Sequence, residues 1–154
     1  MTDMTHFSSP GSLLALETFR LNGALIAAGD ALTAPFGLTS ARWQVMGAIA
    51  EAGGGLPVSG VARNMGLVRQ SVQRISDELA GAGLVRFAAN PHHKRAKLVQ
   101  LTRRGEGLLE QVNARWRLRA DALVAALGAA DVERAAMLLK AFRNHLVSET
   151  EVAE

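Results

Sequence analysis

Residues 66–102 read GLVRQSVQRISDELAGAGLVRFAANPHHKRAKLVQLT, which predicts a helix, a strand, a basic tip and a second strand in succession. Gly66 marks a turn, and Val72, Ile75 and Leu79 fall at steps of three and four, one stripe of a helix over about 68–82. Gly83 is placed to end that helix as a left-handed C′ residue. LVRF and KLVQL then give two short apolar strands around NPHHKRA. Between Arg63 and Arg104 there are nine Lys or Arg and two acids, Asp77 and Glu78, a local balance of +7 against −4 for the rest of the chain. Positive charge gathered on one substructure is the electrostatic footprint of a polyanion site.

Upstream of this stretch, Val58 to Asn64 forms a short helix separated from the next by the Met65–Gly66 turn, the helix-turn-helix pattern. Thr39 is a good N-cap for a helix through about Ala52, with Trp43, Met46 and Ala50 on its inner face. Leu56 and Pro57 supply a very short extended piece. Three longer helices flank the module. The first, about 12–33, carries Leu14, Leu21, Leu25, Ala28 and Leu32 on one stripe and stops at Pro35 and Gly37. Thr102 caps another over about 103–127, with Leu109, Val112, Trp116, Ala120, Leu123 and Leu127 in phase. The last, about 130–148, has Val132, Ala135, Leu139, Phe142 and Leu146 on one side. The expected fold class is mainly α with a small β-hairpin wing: a winged helix-turn-helix over 39–102 with long terminal helices over 12–34 and 103–148, forming one domain across 1–154. A core of about sixty residues cannot cover three further apolar stripes, so a homodimer held by the terminal helices is expected.

Composition narrows the function classes. Nearly half of the 154 residues are apolar and a fifth are charged, an ordinary globular balance. With no cysteine, disulfides, thiolate metal sites and thiol redox switches are excluded. The first dozen residues, MTDMTHFSSPGS, lack a basic n-region and an apolar h-region and read as a disordered tail. No apolar run approaches the ~18 residues of a membrane span, so no membrane partner is expected, and the lack of cysteine suits a reducing cytoplasm, the expected location. There is no phosphate loop, GxSxG or HExxH, so no catalytic residue, enzyme activity or cofactor is expected. Adjacent His92 and His93 lack the i, i+4 spacing of a preorganised metal pair, and His6 and His145 are isolated, so no metal site is assigned.

The predicted helix projects Arg69, Gln70, Gln73 and Arg74 away from its apolar stripe, with 69 beside 73 and 70 beside 74. Arginine pairs bidentately with guanine and glutamine with adenine in the major groove, each good pair discriminating by roughly 1–3 kcal/mol. Ser71 is placed to bond phosphate or cap the helix. At the hairpin tip, Arg95 can enter a minor groove while Lys94 and Lys97 neutralise phosphates. A solvated amphipathic face would also account for the helix residues alone. The basic wing beside them favours double-stranded DNA as the partner.

The run LPVSGVARNMGLVRQSVQRISDELAGAGLVRFAANPHHKRAKLVQLTRRGEGLL resembles the MarR family of bacterial winged-helix transcriptional regulators. The matches are Val61-Ala62 and Gly66-Leu67 in the turn, Val72 to Leu79, Gly83-Leu84-Val85, Arg95-Ala96 in the wing, and Leu101-Thr102 with Gly105. The resemblance implies a ligand-responsive repressor that binds a pseudo-palindromic operator as a dimer. It further implies a cleft for a phenolic or other lipophilic anion, with Phe36 and Trp43 in the right region. The peroxide-sensing branch of that family needs a cysteine and is excluded. Where the family usually places an acidic residue two positions before the wing arginine, this chain has His93. Two readings of other classes stand beside this one: a winged-helix module for binding another protein, and a ligand-binding protein without specific DNA binding.

Overall fold

A computed structural model describes the backbone of residues 9–152 and the side chains of 9–150. Within that range the chain forms six α-helices and a three-stranded antiparallel sheet. Most of the expected tail, and His6 with it, lies outside the described residues. Helix α1 runs Pro10–Thr33, two residues earlier than its apolar pattern suggests, because Ser9 caps it and Pro10 sits at N1, where no N–H is needed. Ala34–Phe36 form a single 3-10 turn, and Gly37 follows in the left-handed region at φ 70°.

Helix α2 (Ser40–Glu51) is doubly capped. Thr39 Oγ1 accepts the Arg42 N–H at 3.3 Å, and Asp30 near the end of α1 accepts the Ser40 N–H at 2.7 Å. Gly29 makes this approach possible, since a Cβ there would lie 2.6 Å from Ser40 Oγ. The buried side of α2 is wider than the predicted stripe. Val45, Met46, Ala48 and Ile49 are buried, Trp43 is half-buried and Ala50 is exposed, because α2 packs against α1 as well as the central module.

Strand β1 (Leu56–Pro57) leads into helix α3 (Val58–Met65), which ends at Gly66 with φ 64°. Helix α4 spans Arg69–Gly81 after Val68 in extended conformation. Its predicted stripe of Val72, Ile75 and Leu79 is buried, each side chain contributing about 1.5–3 kcal/mol of transfer free energy. Gly83, at φ 72°, closes α4 with the Leu84 N–H donating to Leu79 O at 2.9 Å, the six-to-one bond of a Schellman turn. Strands β2 (Val85–Ala88) and β3 (Leu98–Leu101) pair in the register Val85↔Leu101 to Ala88↔Leu98, and β1 joins the other edge of β3 through Leu56↔Val99. The wing is thus a hairpin braced by a third short strand.

Thr102 then starts helix α5 (Arg103–Leu127): its Oγ1 accepts the Gly105 N–H at 3.1 Å and donates to Gly83 O at 2.7 Å. Helix α6 covers Ala129–Val152, longer than expected because nothing in SETEV breaks it. The chain divides into two compact units, one up to Asn113 and one from Ala114. The first holds the core of Met46, Val61, Val72, Leu79, Val99 and Val112. No helix among the described residues is long and apolar enough to cross a membrane.

Candidate nucleic-acid interface

Burying Val72, Ile75 and Leu79 turns the other side of α4 outward, so Arg69, Gln70, Ser71, Gln73 and Arg74 are all exposed. Val68, the N-cap residue, supplies no side-chain hydrogen bond and is itself exposed, as is Ser71 in the first turn. The hydroxyl of Ser71 is therefore available to solvent and not spent on the N-cap.

The wing tip is held by backbone turns. Asn90 Oδ1 accepts the His92 N–H at 3.0 Å, Asn90 O accepts the His93 N–H at 3.3 Å, and His93 O accepts the Ala96 N–H at 3.3 Å. Lys94, Arg95 and Lys97 project from it, exposed. The fold brings part of the wing to the helix. A cleft of about 350 Å³ is lined by Arg69, Gln73 and Asp77 of α4, by Arg95 and Lys97 of the wing, and by Pro57 and Phe87 at its apolar side. Gln70, Ser71, Arg74 and Lys94 lie outside that cleft.

The four helix side chains predicted to act alike divide into two pairs. Gln73 Nε2 donates to Asp77 Oδ1 at 3.0 Å, and Arg74 Nη1 donates to Glu78 Oε1 at 2.7 Å, both across one helical turn. Arg69 and Gln70 make no side-chain hydrogen bond or ion pair among the described residues. The other carboxylate oxygen of Glu78 accepts Arg42 Nη2 at 2.8 Å and Arg42 Nε at 3.3 Å, tying α4 to α2. Sequence reading missed Arg42 because the contact spans thirty-six residues and leaves no local trace. The i, i+4 pairs were visible in the sequence, but Asp77 and Glu78 entered only as an offset to the positive charge.

Hydrogen bonds from Arg42 and Arg74 hold the Glu78 carboxyl below its usual carboxylate range. A depressed folded-state pKa means that the stabilisation is present above the unfolded-state value of about 4.3 and is lost as pH falls through the folded value. Glu78→Gln should therefore be less stable than the native chain at neutral pH, with the gap closing below about pH 4. Urea melts at several pH values check this; a constant gap down to pH 3 would contradict it.

Trp43, half-buried, donates from Nε1 to Asn113 Oδ1 at 2.9 Å, and Phe36 is also half-buried in the same compact unit. Among the described residues no three His, Asp or Glu side chains gather so as to hold a metal ion.

The sequence pattern of the MarR family matches residues 36–96, the span from the turn before α2 to the wing tip. An uncharacterised protein of Mycobacterium tuberculosis is 34% identical over 102 residues, which cover 66% of this chain and 70% of that one. The chain belongs to the MarR family. MarR regulators share its architecture: AbsC, a MarR family transcriptional regulator from Streptomyces coelicolor, superposes with a TM-score of 0.77 at 20% identity, covering 94% of this chain and 99% of AbsC. CouR from Rhodococcus jostii RHA1, solved bound to p-coumaroyl-CoA, gives a TM-score of 0.65 at 28% identity over 92% of this chain and 91% of CouR. Membership makes this chain a winged-helix transcriptional regulator of a DNA-binding family.

Proposed function

We propose that this MarR family chain is a cytoplasmic, sequence-specific repressor that binds double-stranded DNA as a homodimer and is released by a small-molecule effector. The observation that carries the reading is the exposed α4 face beside a cleft lined by Arg69, Arg95 and Lys97. In the proposed complex α4 enters the major groove, Arg69, Gln70, Gln73 and Arg74 meet base edges, and Ser71 bonds phosphate. Arg95 reaches a flanking minor groove, while Lys94 and Lys97 neutralise backbone charge. Residues 39–102 are the DNA-reading part, and 12–34 with 103–148 form the dimer. Two-fold symmetry then sets half-sites about one helical turn, ~10 bp, apart.

An effector acts only through its different affinity for DNA-competent and DNA-incompetent dimers. That CouR binds p-coumaroyl-CoA supports a phenolic or lipophilic anion as its class here, with Phe36 and Trp43 near its site. No cofactor or catalytic step enters this scheme.

Selection of bound duplexes from a random pool at two salt concentrations tests the proposal. A two-fold symmetric motif with affinity falling steeply in salt is expected; a pool without a motif would reject it. Arg69→Ala should then lower specific affinity by roughly tenfold to a hundredfold with much less effect on random duplex. Lys94→Ala should weaken both alike and reduce the slope of log affinity against log salt by about 0.9 per subunit contact. Equal losses for the two variants would contradict this division of roles.

A further inference from the structure

Between Arg63 and Arg104 the two acids stand on the one helix that faces outward, and both lie one turn beyond polar residues of its exposed face. A carboxylate there repels phosphate, and its exposed pair with Arg74 adds little stability. Glu78 ties α4 to α2 through Arg42, and its second oxygen faces outward to Arg74, which suits it to a further role. Oε2 is occupied by two nitrogens of Arg42, which is about one-third exposed and based on α2, while Oε1 takes Nη1 of Arg74, which is 67% exposed. Arg42 thus fixes the carboxylate from the protein side, and the carboxylate fixes an otherwise mobile guanidinium by one of its three nitrogens.

We propose, resting on the DNA-binding role above, that Glu78 is a positioning residue that buttresses Arg74 for bidentate reading of one guanine, with Arg42 as its anchor. Holding Nη1 leaves the Nε–Nη2 edge of Arg74 free, and that edge matches the O6 and N7 acceptors of guanine in the major groove. A side chain already held in its reading pose loses less conformational freedom on binding. The benefit is confined to the specific complex. On random DNA the same carboxylate keeps Arg74 occupied and repels a nearby phosphate. Glu78 therefore favours the correct site and disfavours others, the two halves of specificity.

The test is the base preference at each position of the selected motif, measured for the native chain, Glu78→Gln, Arg42→Met, Arg74→Ala and the Glu78→Gln/Arg74→Ala double variant, with a melting curve for each. The expected result is loss of about tenfold guanine preference at one half-site position in Glu78→Gln, and a weaker loss in Arg42→Met. The other positions should keep their preferences, and affinity for random duplex should rise at low salt. Arg74→Ala should flatten the same position, and the double variant should flatten it no further. A purely structural role would degrade every position together and follow the melting temperature; that pattern overturns the proposal. So does a native motif whose preferences are unchanged in Glu78→Gln. A native chain that selects no motif at all overturns the DNA-binding role and this inference with it, a result distinct from the other two.

Discussion

Gly105→Ala is expected to lower the melting temperature by roughly 10 °C. Gly105 is buried in the first turn of α5, where that helix crosses the start of β2. A Cβ on residue 105 would overlap the Leu84 carbonyl oxygen and lie 2.9 Å from its carbon. The obstacle is backbone, so no side chain can swing aside. Leu84 O is also committed, because it accepts the Thr102 N–H at 3.0 Å while Thr102 Oγ1 bonds both Gly83 O and the Gly105 N–H. Relieving the clash must part α5 from the α4–β2 corner and break this knot of bonds. Overpacking a core costs about 1–3 kcal/mol, and a backbone clash belongs at the upper end. At this chain length each kcal/mol shifts the midpoint by about 2–4 °C. Gly107→Ala is the control: two residues along the same helix, with nothing within 4 Å of its Cβ position, it should be neutral or stabilising by up to about 1 kcal/mol. Circular-dichroism melts decide the matter, and equal midpoints for the two variants would contradict the packing described.

The same corner shows what sequence makes legible. Local periodicity marked the faces of α4 and the core half of α5, since Val72, Ile75, Leu79, Leu109 and Val112 are buried as their spacing implies. Local cap chemistry marked Thr39, Gly83 and Thr102. The start of α1 is also a matter of local chemistry: Ser9, Pro10 and Gly11 read as the end of a disordered tail, although proline at N1 favours a helix start. What stayed hidden is non-local. The Gly105–Leu84 approach, the pairing of Leu56 with Val99 and the bridge from Arg42 to Glu78 join residues 21 to 43 positions apart and depend on how the elements stack. For the candidate site this had a definite effect. Side-chain type placed Arg69, Gln70, Gln73 and Arg74 on one outward face, but only packing shows that the carboxylate one turn beyond Arg74 is itself anchored by Arg42.

The largest effect on DNA binding should come from residues that are not on that face. Of the fourteen large apolar side chains most exposed among the described residues, thirteen lie on α1, α5 and α6, and Val68 at the start of α4 is the other. The three most exposed are Phe19, Leu118 and Met137, one on each of those helices. On each of these helices such exposed apolar side chains are of the kind that mark a protein-interaction face. A second copy of the same chain covers it under the proposed scheme, and it also supplies the second reading helix. Leu118→Asp/Met137→Asp would then bury unpaired carboxylates in the interface, and the penalty for each unpaired buried charge is large. The expected result by light scattering at micromolar concentration is a shift from twice the chain mass to the 16.3 kDa monomer. With one reading helix instead of two, the gain from joint engagement of both half-sites disappears, and operator affinity should fall by about 10²–10⁴ at fixed salt. The isolated half-site offers the internal check. A monomer whose first compact unit remains folded should bind a single half-site as the native chain does, because Arg69, Gln70 and the wing are untouched. A variant that keeps the dimer mass and full operator affinity would place the interface elsewhere, and a native chain that scatters as a monomer would remove the two-fold operator from the scheme.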